Sequence, residues 1–218
     1  MKLMLLAGIF FASSVRCDDY EQTFSHIYES AYWGKNQGGE GTSGPGSLPE
    51  NCVEYVAFIQ QFMREHNITS VVDAGCGDWQ FSRLIDWSGI NYIGYDVVHS
   101  LIAQNNAMFA NEHINFVHAN FLTADVPCAD LLLCKDVFQH LTNQDIINFK
   151  PKLKNFRYCL ITNHVDSQSL SSDNPDITLG DFRRLDLNKA PFNISGTVVL
   201  NYRFGYEVHQ VYLIDNSF

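Results

Sequence analysis

The chain has 218 residues, 46% of them apolar and 17% charged, a length suited to one domain and a balance that excludes a disordered chain. Its formal charge of −10 argues against a nucleic-acid partner, because a phosphate backbone calls for a basic face. Lys150, Lys152, Lys154 and Arg157 do cluster, and they read as a solvated helix face.

The N-terminus, MKLMLLAGIFFASSVRC, has an early lysine, an apolar run from Leu3 to Ala12, and small residues after it. The run is too short to span a bilayer as a helix, which needs roughly 20 apolar residues. Residues 1–17 are therefore expected to be a secretory signal peptide cut before Asp18, leaving no membrane span and placing the protein in a secretory or periplasmic compartment; the alternative is a cytosolic protein whose N-terminus merely looks apolar. The six cysteines pull the other way. Removing Cys17 leaves an odd number, none paired as CxxC, so neither a disulfide framework nor a zinc or thioredoxin-type motif is indicated. Cys134 and Cys159 lie in apolar runs and read as small core residues. Two sequons, at Asn67 and Asn193, matter only in a eukaryotic secretory pathway.

Residues 18–47 read as a helical segment followed by a glycine-rich loop from Gly34 to Ser47. Ser47 with Glu50 has capping-box spacing, and apolar residues then recur at helical spacing through Val53, Val56, Ala57, Ile59, Phe62 and Met63. After Thr69 short apolar strands alternate with helices. SVVDAG is a strand, WQFSRLIDWSG a helix and turn, NYIGYDVV a strand, HSLIAQNNAMFANE a helix, and INFVHAN and ADLLLCKDVF are strands. NQDIINFKPKLKNF is helical despite Pro151, RYCLITNHV is a fifth strand, and EVHQVYLID a late one. Such alternation predicts a mostly parallel sheet covered on both faces. The irregular stretch from Asp166 to Gly196 contains Ile177, Leu179, Phe182, Leu185, Leu187 and Phe192, which favour an ordered lid over a free loop.

In an open parallel sheet ligands bind beyond the carboxyl ends of the strands. The first strand runs into VVDAGCGDWQF, where Gly75 and Gly77 permit positive φ and close approach of a ligand to the backbone. The dinucleotide fingerprint G-x-G-x-x-G fails at Gln80, and Asp78 would repel a pyrophosphate. An acid there suits a ligand with a cationic amino end. Asp96 closes the second strand at the distance expected of a ribose-gripping carboxylate. Ribose, cationic amino acid end and no pyrophosphate together describe S-adenosylmethionine.

VVDAGCGDWQF and YIGYDVV resemble the first and second motifs of class I S-adenosylmethionine-dependent methyltransferases, and ADLLLCKDVFQHL is similar to their fourth-strand motif. The resemblance covers residues 43–215. SGPGS, CKDVFQHL and NPDITLGDFRRLDLNKAPF more narrowly resemble a bacterial-type methyltransferase group associated with glycan biosynthesis. It implies a Rossmann-like, doubly wound, seven-stranded sheet with an antiparallel last strand, and a methyltransferase domain at residues 48–218. It places Gly75 and Gly77 against the cofactor, Asp73 beneath its amino acid end, Asp96 at the ribose, and Asn120 with Phe121 at the adenine. Asp78 and Trp79 fall near the methionine end, Lys135 and Asp136 along the sulfonium, and Gly44, Gly46 and Ser47 over it.

Trp79 and Phe121 are equally readable as core. Candidate bases for a hydroxyl acceptor are Asp136, His140 and His164, and no metal triad is evident. His26, His66, His99, His113, His118 and His209 read as surface or core residues. Arg183 and Arg184 are expected to meet a carboxylate or phosphate on the acceptor, or else to pair with Asp181 and Asp186. The function implied is methyl transfer from S-adenosylmethionine to a small-molecule or glycan-type acceptor. Two alternatives stand beside it: a secreted, catalytically silent binding protein of the same fold, and an NAD-dependent oxidoreductase.

Overall fold

The computed structural model describes residues 17–165 and 174–217. The expected signal peptide and the start of the expected lid, residues 166–173, lie outside the described residues. Seven strands form one sheet: β1 (Ser70–Ala74), β2 (Asn91–Asp96), β3 (Ile114–His118), β4 (Ala129–Lys135), β5 (Phe156–Val165), β6 (Thr197–Phe204) and β7 (Glu207–Asp215). Their order is β3-β2-β1-β4-β5-β7-β6. The first five pair in parallel, and β7 inserts antiparallel between β5 and β6. Val71 pairs with Tyr92 on one side of β1 and with Leu131 of β4 on the other. The chain therefore leaves β1 in both directions, and the switch point opens a crevice at the carboxyl edge.

The unbroken apolar runs have their reason in this topology. Leu131, Leu132, Leu133 and Cys134 of β4 and Cys159, Leu160 and Ile161 of β5 are all buried, because helices cover both faces. On one face α2 (Val53–Glu65) sets Tyr55, Ile59 and Phe62 against the sheet. On the other, α4 (Asn143–Phe149) contributes Ile146 and Phe149, and α1 (Cys17–Glu29) reaches in with Tyr20. α3 (His99–Phe109) follows β2.

Three local expectations are corrected. Ser47 caps nothing: Pro49 forces Leu48 into extended backbone at ψ 137°, so two tight turns, Pro45–Ser47 and Pro49–Asn51, precede α2. Consequently α2 begins at Val53, which is exposed rather than packed. The helix expected over WQFSRLIDWSG shrinks to one turn, Ser82–Leu84. Trp79 there takes φ 56° and sinks its indole among Trp87, Tyr92 and Phe116, which the start of a regular helix would not allow. Finally, β6, which is missing from the strands read off the sequence, is a regular edge strand with a bulge between Val198 and Leu200. The reading of NQDIINFKPKLKNF holds in modified form. Thr142 and Asp145 build a capping box for α4, and Pro151 turns its end into the tighter helix Lys150–Asn155.

Candidate active site

A cavity of about 310 Å³ opens over the switch point, within the range of small-molecule sites. Every residue expected at the cofactor lines it: Asp73, Gly75, Gly77, Asp78, Trp79, Asp96, Asn120, Phe121, Lys135, Gly44 and Ser47, as do the expected bases Asp136, His140 and His164.

The floor is the turn after β1. Gly75 has φ 78° and Gly77 φ 55°. A Cβ on Gly75 would stand 2.4 Å from Val137 Cγ2, and one on Gly77 2.4 Å from Ser43 Oγ. What approaches these glycines is thus the protein's own packing, besides any ligand above. Their backbone donors are engaged as well. Gly75 and Cys76 donate to the Tyr95 carbonyl, and Gly77 donates to Asp96 Oδ2 at 3.0 Å. Asp96 Oδ1 accepts from Val98 N at 2.9 Å, so this carboxylate clamps the turn to the start of α3. It is buried although it closes β2, and burial pushes its pKa up.

Beneath the turn Asp73 is buried, and its Oδ2 accepts from Tyr92 Oη at 2.7 Å. Tyr92 in turn accepts from Trp79 Nε1 at 2.9 Å. Trp79 therefore braces the cavity floor from inside the core, its ring buried. Burial pushes the Asp73 carboxyl up to about 7 against the pull of the Tyr92 hydroxyl. The N-terminal loop is fastened over the turn by a reciprocal pair: Ser43 N donates to Asp78 Oδ2, and Asp78 N donates to Ser43 Oγ. Asp78 Oδ1 is buried without a hydrogen-bond partner.

At the far end Asn120 Oδ1 accepts from Leu122 N, leaving buried Nδ2 unpartnered. The amide oxygen keeps a second lone pair, and the unpartnered nitrogen adds a donor beside it. Phe121 packs edge-on against Phe149 while lining the cavity.

The ends of β4 and β5 form the other wall. Lys135 Nζ donates to the Gly46 carbonyl at 2.8 Å and to Asp136 Oδ2. Asp136 has φ 58°, a rare conformation for a non-glycine residue. Burial opposes its ionisation, yet Lys135 and His209 outweigh that and hold it well below the usual carboxylate range. His140 Nδ1 donates to the Asp181 carbonyl at 2.9 Å, which fixes the tautomer and leaves Nε2 as the basic nitrogen. Burial lowers its pKa, so it is neutral at neutral pH. His164 is pushed down to about 4 by burial.

The described part of the lid docks here. Gly180 N bonds the His140 carbonyl, Arg183 N that of Gln139, and Leu185 N that of His164. Phe182 lines the cavity beside His140 and His164. The arginine pair does not. Arg184 makes a two-pronged bond with Glu207 at 2.8 and 2.9 Å, and Arg183 is buried away from the cavity. Neither Asp181 nor Asp186 is their partner, because the lid turns Arg184 toward β7.

Sequence reasoning missed Ser43, Trp33 and Phe182 of the cavity lining, and His209 behind it. Ser43 sits in SGPGS and Phe182 in a stretch already read as lid, so both had a signal. His209 had none, because only the antiparallel insertion of β7 sets it opposite His164.

Residues 72–149 match the family model described as a methyltransferase domain. No curated protein matches the chain. Among solved structures, magnesium protoporphyrin IX methyltransferase from Synechocystis PCC 6803, with bound SAH, superposes with TM-score 0.59 at 12% identity, covering 90% of this chain and 95% of that one. The N-terminal domain of EvdMO1, solved in the presence of SAH and D-fucose, gives TM-score 0.56 at 13% identity over 89% and 96%. The chain spans 65% of the methyltransferase domain of bacterial CtHen1-C, and 51% of this chain is covered at 17% identity and TM-score 0.45.

Proposed function

We propose that this chain, which has the class I methyltransferase fold and a methyltransferase domain at residues 72–149, transfers a methyl group from S-adenosylmethionine to a hydroxyl of a small polar or glycan-type acceptor. The observation that carries the reading is the acid-lined cradle: Asp73, Asp78 and Asp96 all line one cavity around Gly75 and Gly77. Three carboxylates repel a pyrophosphate and suit a ligand with a cationic amino end and a ribose. The NAD alternative loses further ground, since the turn leads into one tight turn and not into the helix whose N-terminus would hold a pyrophosphate.

The residues present fit the cofactor. Asp78 Oδ1 and Asn120 Nδ2, on two cavity-lining residues, are buried without a hydrogen-bond partner, and the cofactor would bring a donor to one and acceptors to the other. Asp96 would hold the ribose with the lone pairs not used by Gly77 and Val98, and Asp73 would face the amino acid end. Bound there, the cofactor supplies an activated methyl group, and the protein's part is chiefly alignment, which contributes on the order of 7–11 kcal/mol. His140 Nε2 takes the acceptor's proton, with Asp181 fixing the ring and Trp33, 4.8 Å away between centroids, packing its face.

Aromatic residues at the mouth, Trp33, Phe182 and exposed Tyr32, offer the flat surfaces on which sugar rings rest. A neighbour of the same fold was solved with D-fucose, which supports a sugar-like acceptor. The test is transfer of labelled methyl from S-adenosylmethionine to a panel of sugars and glycosides. Cofactor binding with no turnover across the panel would support the catalytically silent alternative. Secretion is proposed from residues 1–17 alone. Asn67 and Asn193 are both exposed, so a mobility shift after N-glycosidase treatment of the chain made in eukaryotic cells tests it.

A further inference from the structure

Behind the cavity wall the fold assembles a group that the sequence does not show as one. Asp136 follows β4 directly, His164 lies in β5 and His209 in β7, and one ligand atom from each lies within 4.8 Å of the others. Antiparallel register places His164 opposite His209, and their ring centroids are 3.9 Å apart. Close packing of two imidazoles ordinarily needs a polar partner to satisfy them. Here His164 Nδ1 is buried without a hydrogen bond, its near carboxylate Glu207 Oε2 standing off at 3.8 Å, and so is the hydroxyl of Tyr202, whose ring stacks on His209. Buried polar atoms left unsatisfied call for an explanation, and an ion or ordered water is one of the few available.

The spacing points to the ion. Asp136 Oδ1 and His209 Nδ1 make a long hydrogen bond at 3.3 Å. A charge-assisted N–H···O bond is shorter, about 2.7–2.9 Å. Two ligands held at ~2.0–2.1 Å by one tetrahedral cation stand about 3.3 Å apart. Lys135 occupies only the other oxygen, Oδ2, and is itself tied to the Gly46 carbonyl, so it orients the carboxylate as an outer-shell partner does.

We propose that Asp136, His164 and His209 form a binding site for one first-row divalent transition cation, with its remaining coordination positions open toward the cavity. Two imidazoles and one carboxylate suit Zn²⁺, Mn²⁺, Fe²⁺ or Co²⁺ better than Mg²⁺, which prefers an all-oxygen shell. Asp136 and His164 line the cavity wall while His209 lies behind it, so an open position faces the acceptor side. An acceptor oxygen bound there is held and polarised beside the methyl donor. The acceptor's part in this rests on the methyltransferase reading. The cation site itself does not.

The test uses the tag-free full chain, stripped with chelator and titrated calorimetrically with Zn²⁺, Mn²⁺ and Mg²⁺, with no cofactor or acceptor present. One Zn²⁺ or Mn²⁺ per chain is expected, with Mg²⁺ weaker. His164→Ala and Asp136→Asn should each weaken binding by more than the roughly 10–100-fold that outer-shell changes cost. His209→Gln is the second variant of the buried ligand, and thermal melts establish that each variant is folded. No binding to the folded wild type, or binding untouched in His164→Ala and Asp136→Asn, overturns the site. S-adenosylmethionine is titrated separately into the stripped chain. Cofactor binding without cation binding sinks this inference alone, and cation binding without cofactor binding sinks the methyltransferase reading alone.

Discussion

Replacing Asp73 with asparagine should make the protein more stable and less able to hold its cofactor, both in a pH-dependent way. The side chain is buried, its Oδ2 accepts from Tyr92, and burial moves its pKa from 3.8 to about 7. That difference amounts to about 4 kcal/mol of strain on the ionised form. Because the folded pKa is raised, the stabilising contribution is complete below about pH 4 and is lost as pH climbs through 7. Asparagine keeps the acceptor for Tyr92 and cannot ionise. Urea melts should therefore show the variant and wild type alike near pH 4, diverging through neutrality, with the variant ahead by up to about 4 kcal/mol at pH 8. Cofactor affinity runs the opposite way. A cationic amino end needs the carboxylate ionised, so wild-type affinity for S-adenosylmethionine should fall about tenfold from pH 8 to pH 6, and that of the variant should lack this component. A stability difference constant from pH 4 to pH 8, with the same pH response of affinity in both proteins, would refute the placement of Asp73 under the amino end.

Asp96→Ala removes two backbone clamps, Gly77 and Val98, and should lower the melting temperature as well as weaken cofactor binding, each charge-assisted bond being worth about 1.5–3 kcal/mol. Unchanged thermal stability would show that the clamp is dispensable. His140→Gln should reduce turnover about 10²–10⁴-fold while leaving calorimetric cofactor affinity intact. Since burial lowers the His140 pKa, wild-type turnover should rise with pH along a limb centred below 6.5, and that limb should vanish in the variant. Arg184→Ala breaks an exposed pair with Glu207 and should cost at most about 1 kcal/mol, with no change in the acceptor's Michaelis constant.

The residues that sequence reasoning gathered at the cavity are those whose position follows from local chain geometry. Strand β1 is a short buried run, and the glycines after it sit at a forced turn, so Asp73, Gly75, Gly77 and Asp96 were legible from spacing and strand ends. The missing helix after Trp79 was not legible, because its apolar periodicity is real and only the tertiary burial of the indole overrides it. Ser47 failed as a cap for a local reason that was open to inspection, the proline at 49. His209 and the true partner of Arg184 depend on the register of β7 against β5 and on the lid's path, which join residues far apart in the chain.

The central claim is that the acid-lined cradle takes S-adenosylmethionine. Calorimetric titration of the full chain with S-adenosylmethionine and, in parallel, with NAD tests it most directly. One S-adenosylmethionine bound per chain, a weaker interaction in Asp73→Asn at pH 8, and no heat with NAD are the predicted results. Saturable binding of NAD with none of S-adenosylmethionine would contradict the account.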